Sequence, residues 1–180
     1  MASKGRPSGP PAGLLDGPDS FAVSTSGNIL SVLSCPVASI STTVEIDRPI
    51  EEVFEYLTNL DNAPEWSVEV VDVRHDGPLQ VGATGQDVRM MGKKQVTMPW
   101  TVTEFEPPHR MVLDYTEPFP INAAYLFAST PSGGTRVTCN TEMKPTGRWK
   151  LMSPLMAREG AKTDRTQFEK VKRILESRPS

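Results

Sequence analysis

Two hydrophobic periods alternate along this chain. From Val44 to Asp47 the period is two, with Val44 and Ile46 apolar and Glu45 and Asp47 polar, the pattern of a half-buried strand. Directly afterwards the period becomes helical: Ile50, Val53, Phe54 and Leu57 fall at i, i+3, i+4 and i+7 and form one apolar stripe. Pro49 suits the first helical position, where its missing N–H costs nothing. Glu51 and Glu52 favour the positive end of the helix dipole. This helix is expected to end near Asn59, and Pro64-Glu65-Trp66 leaves room for one more short turn.

From Val68 onward the pattern returns to strands divided by turn residues. The turns are Asp76-Gly77-Pro78, Gly92-Lys93, Pro107-Pro108, Glu117-Pro118-Phe119-Pro120 and Ser132-Gly133-Gly134. Six strand-like runs lie between them: Val68–His75, Val81–Met91, Gln95–Phe105, Met111–Thr116, Ala123–Ser129 and Thr135–Lys144. Short loops between consecutive strands imply an antiparallel meander. Trp149 to Met152 bridge to a last helix, with Ser153 placed to cap it and Pro154 at its first position; it is expected to run to about Ser177. Its stripe reads Ala157, Gly160/Ala161, Asp164, Phe168, Val171, Leu175, bulky in the second half and small in the first. Either the small half faces a space, with Asp164 pointing into it, or that half frays into solvent.

Composition changes the picture at the N-terminus. Residues 1–38 are rich in Gly, Pro and Ser and lack sustained periodicity, as expected of a disordered tail that cannot bury enough apolar surface to offset ordering. The domain is expected over 39–177. Lys4 and Arg6 followed by Val32-Leu33-Ser34-Cys35 faintly resemble a lipoprotein processing site, but Pro10, Pro11, Asp16, Pro18 and Asp19 occupy the place of the apolar core such a signal needs.

Net charge is −3 and there is no long basic run, which argues against nucleic acid as a main partner. The basic residues Lys162, Arg165, Lys170, Lys172 and Arg173 alternate with acids, as a solvated helix face does. Cys35 and Cys139 form neither a disulfide framework nor a metal spacing, which fits a reducing, cytoplasmic setting. No stretch approaches the roughly 20 apolar residues of an integral membrane segment. Nothing in the pattern fixes an oligomeric state.

Four pieces of this order resemble the START-like, or helix-grip, superfamily (SRPBCC), which contains the bacterial polyketide cyclase/dehydrase and lipid-transport proteins. They are Ile46-Asp47-Arg48-Pro49-Ile50-Glu51-Glu52-Val53-Phe54, Pro64-Glu65-Trp66, Thr103-Glu104-Phe105-Glu106-Pro107-Pro108 and Gly133-Gly134-Thr135-Arg136-Val137-Thr138. The resemblance spans about 39–177 and implies an α+β fold. A seven-stranded antiparallel curved sheet would grip the long C-terminal helix, with two short helices between strands 1 and 2. It also implies a cavity between sheet and helix for a lipid, quinone, polyketide or similar small apolar ligand. Catalytic residues differ among such proteins, so none is carried over.

The residues that could carry chemistry are therefore sought on inward faces. Met98, Trp100, Val102 and Glu104 share one face of their strand; Met111, Leu113, Tyr115, then Ala123, Tyr125, Phe127, then Val137, Cys139, Thr141, Met143 follow on the next three. Expected ligand contacts are Met98, Trp100, Tyr115, Tyr125, Phe127 and Met143 from the sheet and Gly160 and Asp164 from the helix. The tyrosines and the tryptophan could equally be ordinary core with their polar atoms satisfied internally. The methionines suit an irregular apolar pocket but serve as filler just as well. Asp87 and Arg89 lie opposite Val88 and Met90 and are expected outward. Candidates for acid–base work are Glu104, Asp164, Tyr115 and Tyr125.

His75 and His109 are expected as exposed turn residues, and neither has a spaced metal partner. Gly82-Ala83-Thr84-Gly85 lacks the lysine and the strand–helix context of a phosphate loop. No cofactor is called for. The first functional expectation is a non-enzymatic binder or carrier of a small hydrophobic molecule. The alternatives are a cyclase or aromatase folding a polyketide-like chain in the same cavity, and a partner-binding module using the sheet's outer face or the tail.

Overall fold

The computed structural model describes residues 38–179. Residues 1–37 of the expected disordered tail, with Cys35 and the lipoprotein-like stretch, lie outside them; Ala38, expected as the last tail residue, begins the first strand. Seven strands form one antiparallel sheet in the order β1-β7-β6-β5-β4-β3-β2. They are β1 (Ala38–Ile46), β2 (Val70–His75), β3 (Thr84–Met91), β4 (Lys94–Glu106), β5 (Arg110–Tyr115), β6 (Ile121–Ser129) and β7 (Thr135–Met143). Strands 2 to 7 are a meander, each paired with its sequence neighbour. β1 closes the order by pairing with β7, Ala38 opposite Met143 and Ile46 opposite Thr135. β1 and β2 therefore occupy opposite edges, and the chain between them crosses the sheet as α1 (Ile50–Thr58), a 3₁₀ turn (Leu60–Asn62) and α2 (Ala63–Trp66).

The α1 stripe is buried as its spacing requires: Ile50, Val53, Phe54 and Leu57 face the sheet. Phe54 packs edge-on against Phe127 of β6, ring centroids 5.0 Å apart. The long helix α3 (Ser153–Glu176) follows a 3₁₀ segment (Gly147–Met152). Ser153 does not cap it; the cap position is Met152, and Ser153 is already inside the first turn. The bulky half of α3, Phe168, Val171 and Leu175, joins α1 in one apolar cluster with Ile46, Phe127 and Val137. A second cluster, Met98, Trp100, Val102, Met111 and Leu113, fills the centre of the sheet. A third joins Ala38, Ile40, Phe119 and Met143 to Trp149, Met156 and Ala157 near the start of α3. The small half of α3 thus does not fray. Gly160 lies so close to β1 that a Cβ there would sit 2.6 Å from Ile40 Cδ1.

Two register details depart from the strand reading. The β4–β5 pairing slips between Val102 and Glu104. A bulge adds one residue to a strand, and because side chains alternate with period two, one extra residue exchanges the faces beyond it. Phe105 consequently turns inward, its ring 5.7 Å from that of Phe54, and Glu104 turns out toward Arg110. In β3, Asp87 pairs with Met98 and Gly85 with Trp100, so the polar alternate positions, not Val88 and Met90, share the face of the central cluster. The expected strand start at Val81 is instead an exposed turn, in which Gly82 N–H donates to the Val102 carbonyl at 2.8 Å.

Candidate functional site

Between the inner face of the sheet and the first half of α3 lies a cavity of about 290 Å³. Its sheet wall is mainly apolar, with Met98, Ile121, Ala123 and Met143; α2 contributes Trp66, and α3 contributes Met156, Gly160, Asp164 and Phe168. Of the residues expected from sequence, Met98, Tyr115, Tyr125, Met143, Gly160 and Asp164 line it. Trp100, Phe127 and Glu104 do not. Trp100 is buried behind the wall, with the absence of a side chain at Gly85 making room for its ring: a Cβ there would lie 2.7 Å from Trp100 Cη2 and 2.6 Å from the Arg74 carbonyl oxygen. Phe127 is held in the α1 cluster. Glu104, carried outward by the bulge, pairs with Arg110, whose hydrogen bond holds the carboxylate below its usual range.

The expectation that Asp87 and Arg89 face solvent is corrected. Asp87 is 5% exposed, and Arg89 lines the cavity. Asp87 Oδ1 accepts the Trp100 indole N–H at 2.9 Å. Its Oδ2 accepts the Tyr115 hydroxyl at 3.0 Å and the Arg89 guanidinium at 2.7 Å. Arg89 also donates to the Tyr115 oxygen at 3.2 Å and lies over that ring. A buried carboxylate needs compensation of this kind, and four groups supplying one another's partners is how a sheet wall holds charge without a large penalty. Burial, then the Asp87 charge, raise the Tyr115 hydroxyl, so it acts as a bound donor and not as a base. The missed signal was polar residues at alternate β3 positions; a strand with polar residues on both faces gives period alone no means of choosing the inner one.

At the other side of the cavity, α2 and α3 are tied together. Ser67 Oγ donates to Gln167 Oε1 at 2.6 Å, and Gln167 Nε2 donates to Asp164 Oδ1 at 3.4 Å. Asp164 Oδ2 is buried and has no hydrogen-bond partner among the described residues; the same is true of Trp66 Nε1, one residue from the tie. Burial pushes the Asp164 carboxyl up to about 6, partly countered by the charge of Arg89. Burial likewise pushes the Cys139 thiol up to about 12 and raises Tyr125 well above its usual value. Cys139 is therefore a small neutral wall residue at ordinary pH, not a nucleophile.

The histidines stand away from this centre. His109 is exposed in the β4–β5 turn. His75 is not the exposed turn residue expected: it ends β2 half-buried, its ring 6.1 Å from Trp100 and Nδ1 2.9 Å from the Gly77 carbonyl oxygen. Among the described residues no three His, Cys, Asp or Glu side chains converge as metal ligands would. No helix among them is long and apolar enough to cross a membrane.

A seven-stranded antiparallel sheet closed on a long C-terminal helix around an apolar cavity defines a helix-grip protein. The family model for polyketide cyclase / dehydrase and lipid transport proteins matches residues 37–176. This chain belongs to that family. No curated protein matches it. Solved structures share the fold at low identity. TTHA0849 of Thermus thermophilus superposes with a TM-score of 0.66 at 15% identity, covering 78% of this chain and 99% of that one. The di-domain ARO/CYC StfQ of the steffimycin biosynthetic pathway gives 0.65 at 10%, covering 76% and 49%. The di-domain ARO/CYC BexL of the BE-7585A pathway gives 0.64 at 21%, covering 79% and 51%. The chain spans about half the length of each di-domain protein.

Proposed function

We propose that this chain binds or carries a small, largely apolar molecule in the cavity between the sheet and α3. The observation that carries this reading is the pair of buried, unpartnered polar atoms on residues that line the cavity, Trp66 Nε1 and Asp164 Oδ2. A buried polar group without a partner costs about 1–3 kcal/mol, so two at one cavity are explained by a ligand that supplies the partners. The ligand would present an acceptor to the indole N–H and a hydrogen-bonding group to the carboxyl, with its apolar body against Met98, Ile121 and Met143. A volume of about 290 Å³ stands at the lower end of the range of roughly 300–1,000 Å³ typical of ligand pockets, which favours a compact molecule over a two-chain lipid. Native mass spectrometry of the chain purified from expressing cells tests this. A retained adduct that Trp66→Phe and Asp164→Asn weaken is the expected result. An adduct-free protein that no apolar hydroxy-carbonyl compound stabilises against heat would overturn it.

A second reading, an enzyme of the cyclase or aromatase type, is favoured by one specific observation: a carboxyl at about 6 in the cavity it shares with Tyr125. A group poised near the working pH exchanges protons in either direction. Ionised Asp164 would take a proton alpha to a carbonyl. The resulting enolate carbon would close the ring on a second carbonyl, and protonated Asp164 would return that proton to the alkoxide so formed. In a second round Asp164 would take the remaining alpha proton and deliver it to the hydroxyl, which departs as water while the carbon–carbon double bond forms. The cavity contributes by holding the chain in the folded, reactive shape. Asp164→Asn and Tyr125→Phe, assayed on a polyketide-like chain, test this; product profiles unchanged in both would exclude it.

A further inference from the structure

We propose that the start of α3 is a docking face for an anionic lipid surface. Leu151 is 89% exposed, Leu155 55% and Met152 47%, side by side across the junction between the 3₁₀ segment and α3. These are protruding side chains, not the lining of a groove. Exposed apolar groups clustered on one part of a surface are of the right form to enter the boundary between headgroups and acyl chains.

The charge around them is unlike that of the rest of the chain. Between residues 144 and 162 stand Lys144, Arg148, Lys150, Arg158 and Lys162 against one acid, Glu159, whereas the remainder holds 14 basic and 21 acidic residues. Leu155, Arg158 and Lys162 fall at i, i+3 and i+7 and so share one face of α3. Lys144, Lys150, Arg158 and Lys162 are exposed and form no ion pair among the described residues. Farther along the same helix two of the four cations are matched, Arg165 with Glu169 and Lys172 with Glu176, each one turn on. Unmatched cations near the exposed leucines along the chain complement a negative, apolar-cored surface, as an anionic bilayer is.

The position of the face argues for lipid over an acidic protein. Trp149 and Met156, interleaved with Leu151 and Leu155, line the cavity. Docking through these leucines would set the cavity wall against the acyl region, where apolar small molecules partition. The proposal does not depend on what the cavity holds, because vesicle binding is read without any ligand.

The test uses the full chain with vesicles of phosphatidylcholine alone and of phosphatidylcholine mixed with phosphatidylglycerol, at low and high salt, in a flotation assay. Binding to the mixed vesicles, weakened by salt, is expected. The double variants L151D/L155D and K150E/R158E should each lower that binding by about tenfold or more while leaving the circular dichroism spectrum unchanged, since all four positions are exposed. Absence of binding to mixed vesicles, or binding that neither variant alters, overturns the proposal. So does a concentration-dependent dimer of the parent chain that L151D/L155D abolishes, which would assign the face to a second copy.

Discussion

Asp87 and Trp100 meet across β3 and β4, the indole N–H donating to Asp87 Oδ1 at 2.9 Å, where Gly85 leaves the ring its space. The same carboxylate takes Tyr115 and Arg89 on its other oxygen. One residue therefore satisfies two buried partners and the half-buried Arg89, and fixes one wall of the cavity. Asp87→Ala leaves the Trp100 indole N–H without its acceptor, while Arg89 and Tyr115 keep each other, and is expected to cost about 1–3 kcal/mol of stability in urea unfolding. Asp87→Asn keeps an acceptor for Trp100 and is expected to cost less. Equal effects of the two substitutions would show that the network contributes packing only.

Two glycines make opposite demands. Gly85→Ala would drive a methyl into the Arg74 backbone and the Trp100 ring, neither of which has room to move, and is expected to cost about 1–3 kcal/mol. Gly160→Ala meets only the tip of Ile40, which has other rotamers, and gains helix propensity of about 1 kcal/mol. It is expected to be neutral within about 1 kcal/mol. Thermal unfolding of both variants would check the contrast; a Gly160→Ala loss as large as that of Gly85→Ala would mean that β1 and α3 cannot separate at all.

Asp164 should make stability depend on pH. Its carboxyl stands at about 6 in the folded chain, against roughly 3.9 in an unfolded one. Between these values the folded state holds the extra proton, so stability is fully present below about 4, is lost as pH rises through about 6, and stays at the lower level above. Asp164→Asn has no such loss. The variant should match the parent near pH 4 and exceed it by of order 1–2 kcal/mol near pH 7.5, the figure reduced for partial solvent access. Urea unfolding at the two pH values gives the comparison; a gap independent of pH would show that the carboxyl does not titrate in this window.

Trp66→Phe separates binding from stability. The substitution removes an N–H that no described residue satisfies and keeps most of the ring volume. The melting temperature of the empty protein is expected to stay or rise slightly, while retention of a bound molecule falls by about fivefold, the worth of one hydrogen bond of about 1 kcal/mol. Glu104→Gln, outside the cavity, is expected to leave retention unchanged.

Much of the fold was legible because it follows from period and punctuation. The α1 stripe, the six strand runs and their turns, and the bulky half of α3 each bury apolar residues at the spacing the sequence displays. Six of the eight expected contact residues line the cavity: Met98, Tyr115, Tyr125 and Met143 at inward strand positions, and Gly160 and Asp164 on the helical stripe of α3. Trp100 and Phe127 share the inward side but are covered by other apolar groups, and depth along a face leaves no mark on a two-residue period.

By itself the sequence determined the order of the elements, their lengths to within a few residues and the place of Asp164 on the small half of the last helix. Only the tertiary structure decided which side of β3 faces inward, because its polar alternate positions become favourable only when Trp100, Tyr115 and Arg89 arrive from the neighbouring strand, the next strand and β3 itself to share Asp87. Only it decided that Glu104 leaves the inner face, because the bulge after Val102 is a property of the β4–β5 pairing and not of either strand. Local period follows from the chain alone. The choice between faces follows from which buried polar groups find partners, and two of those partners, Trp100 and Tyr115, come from other strands.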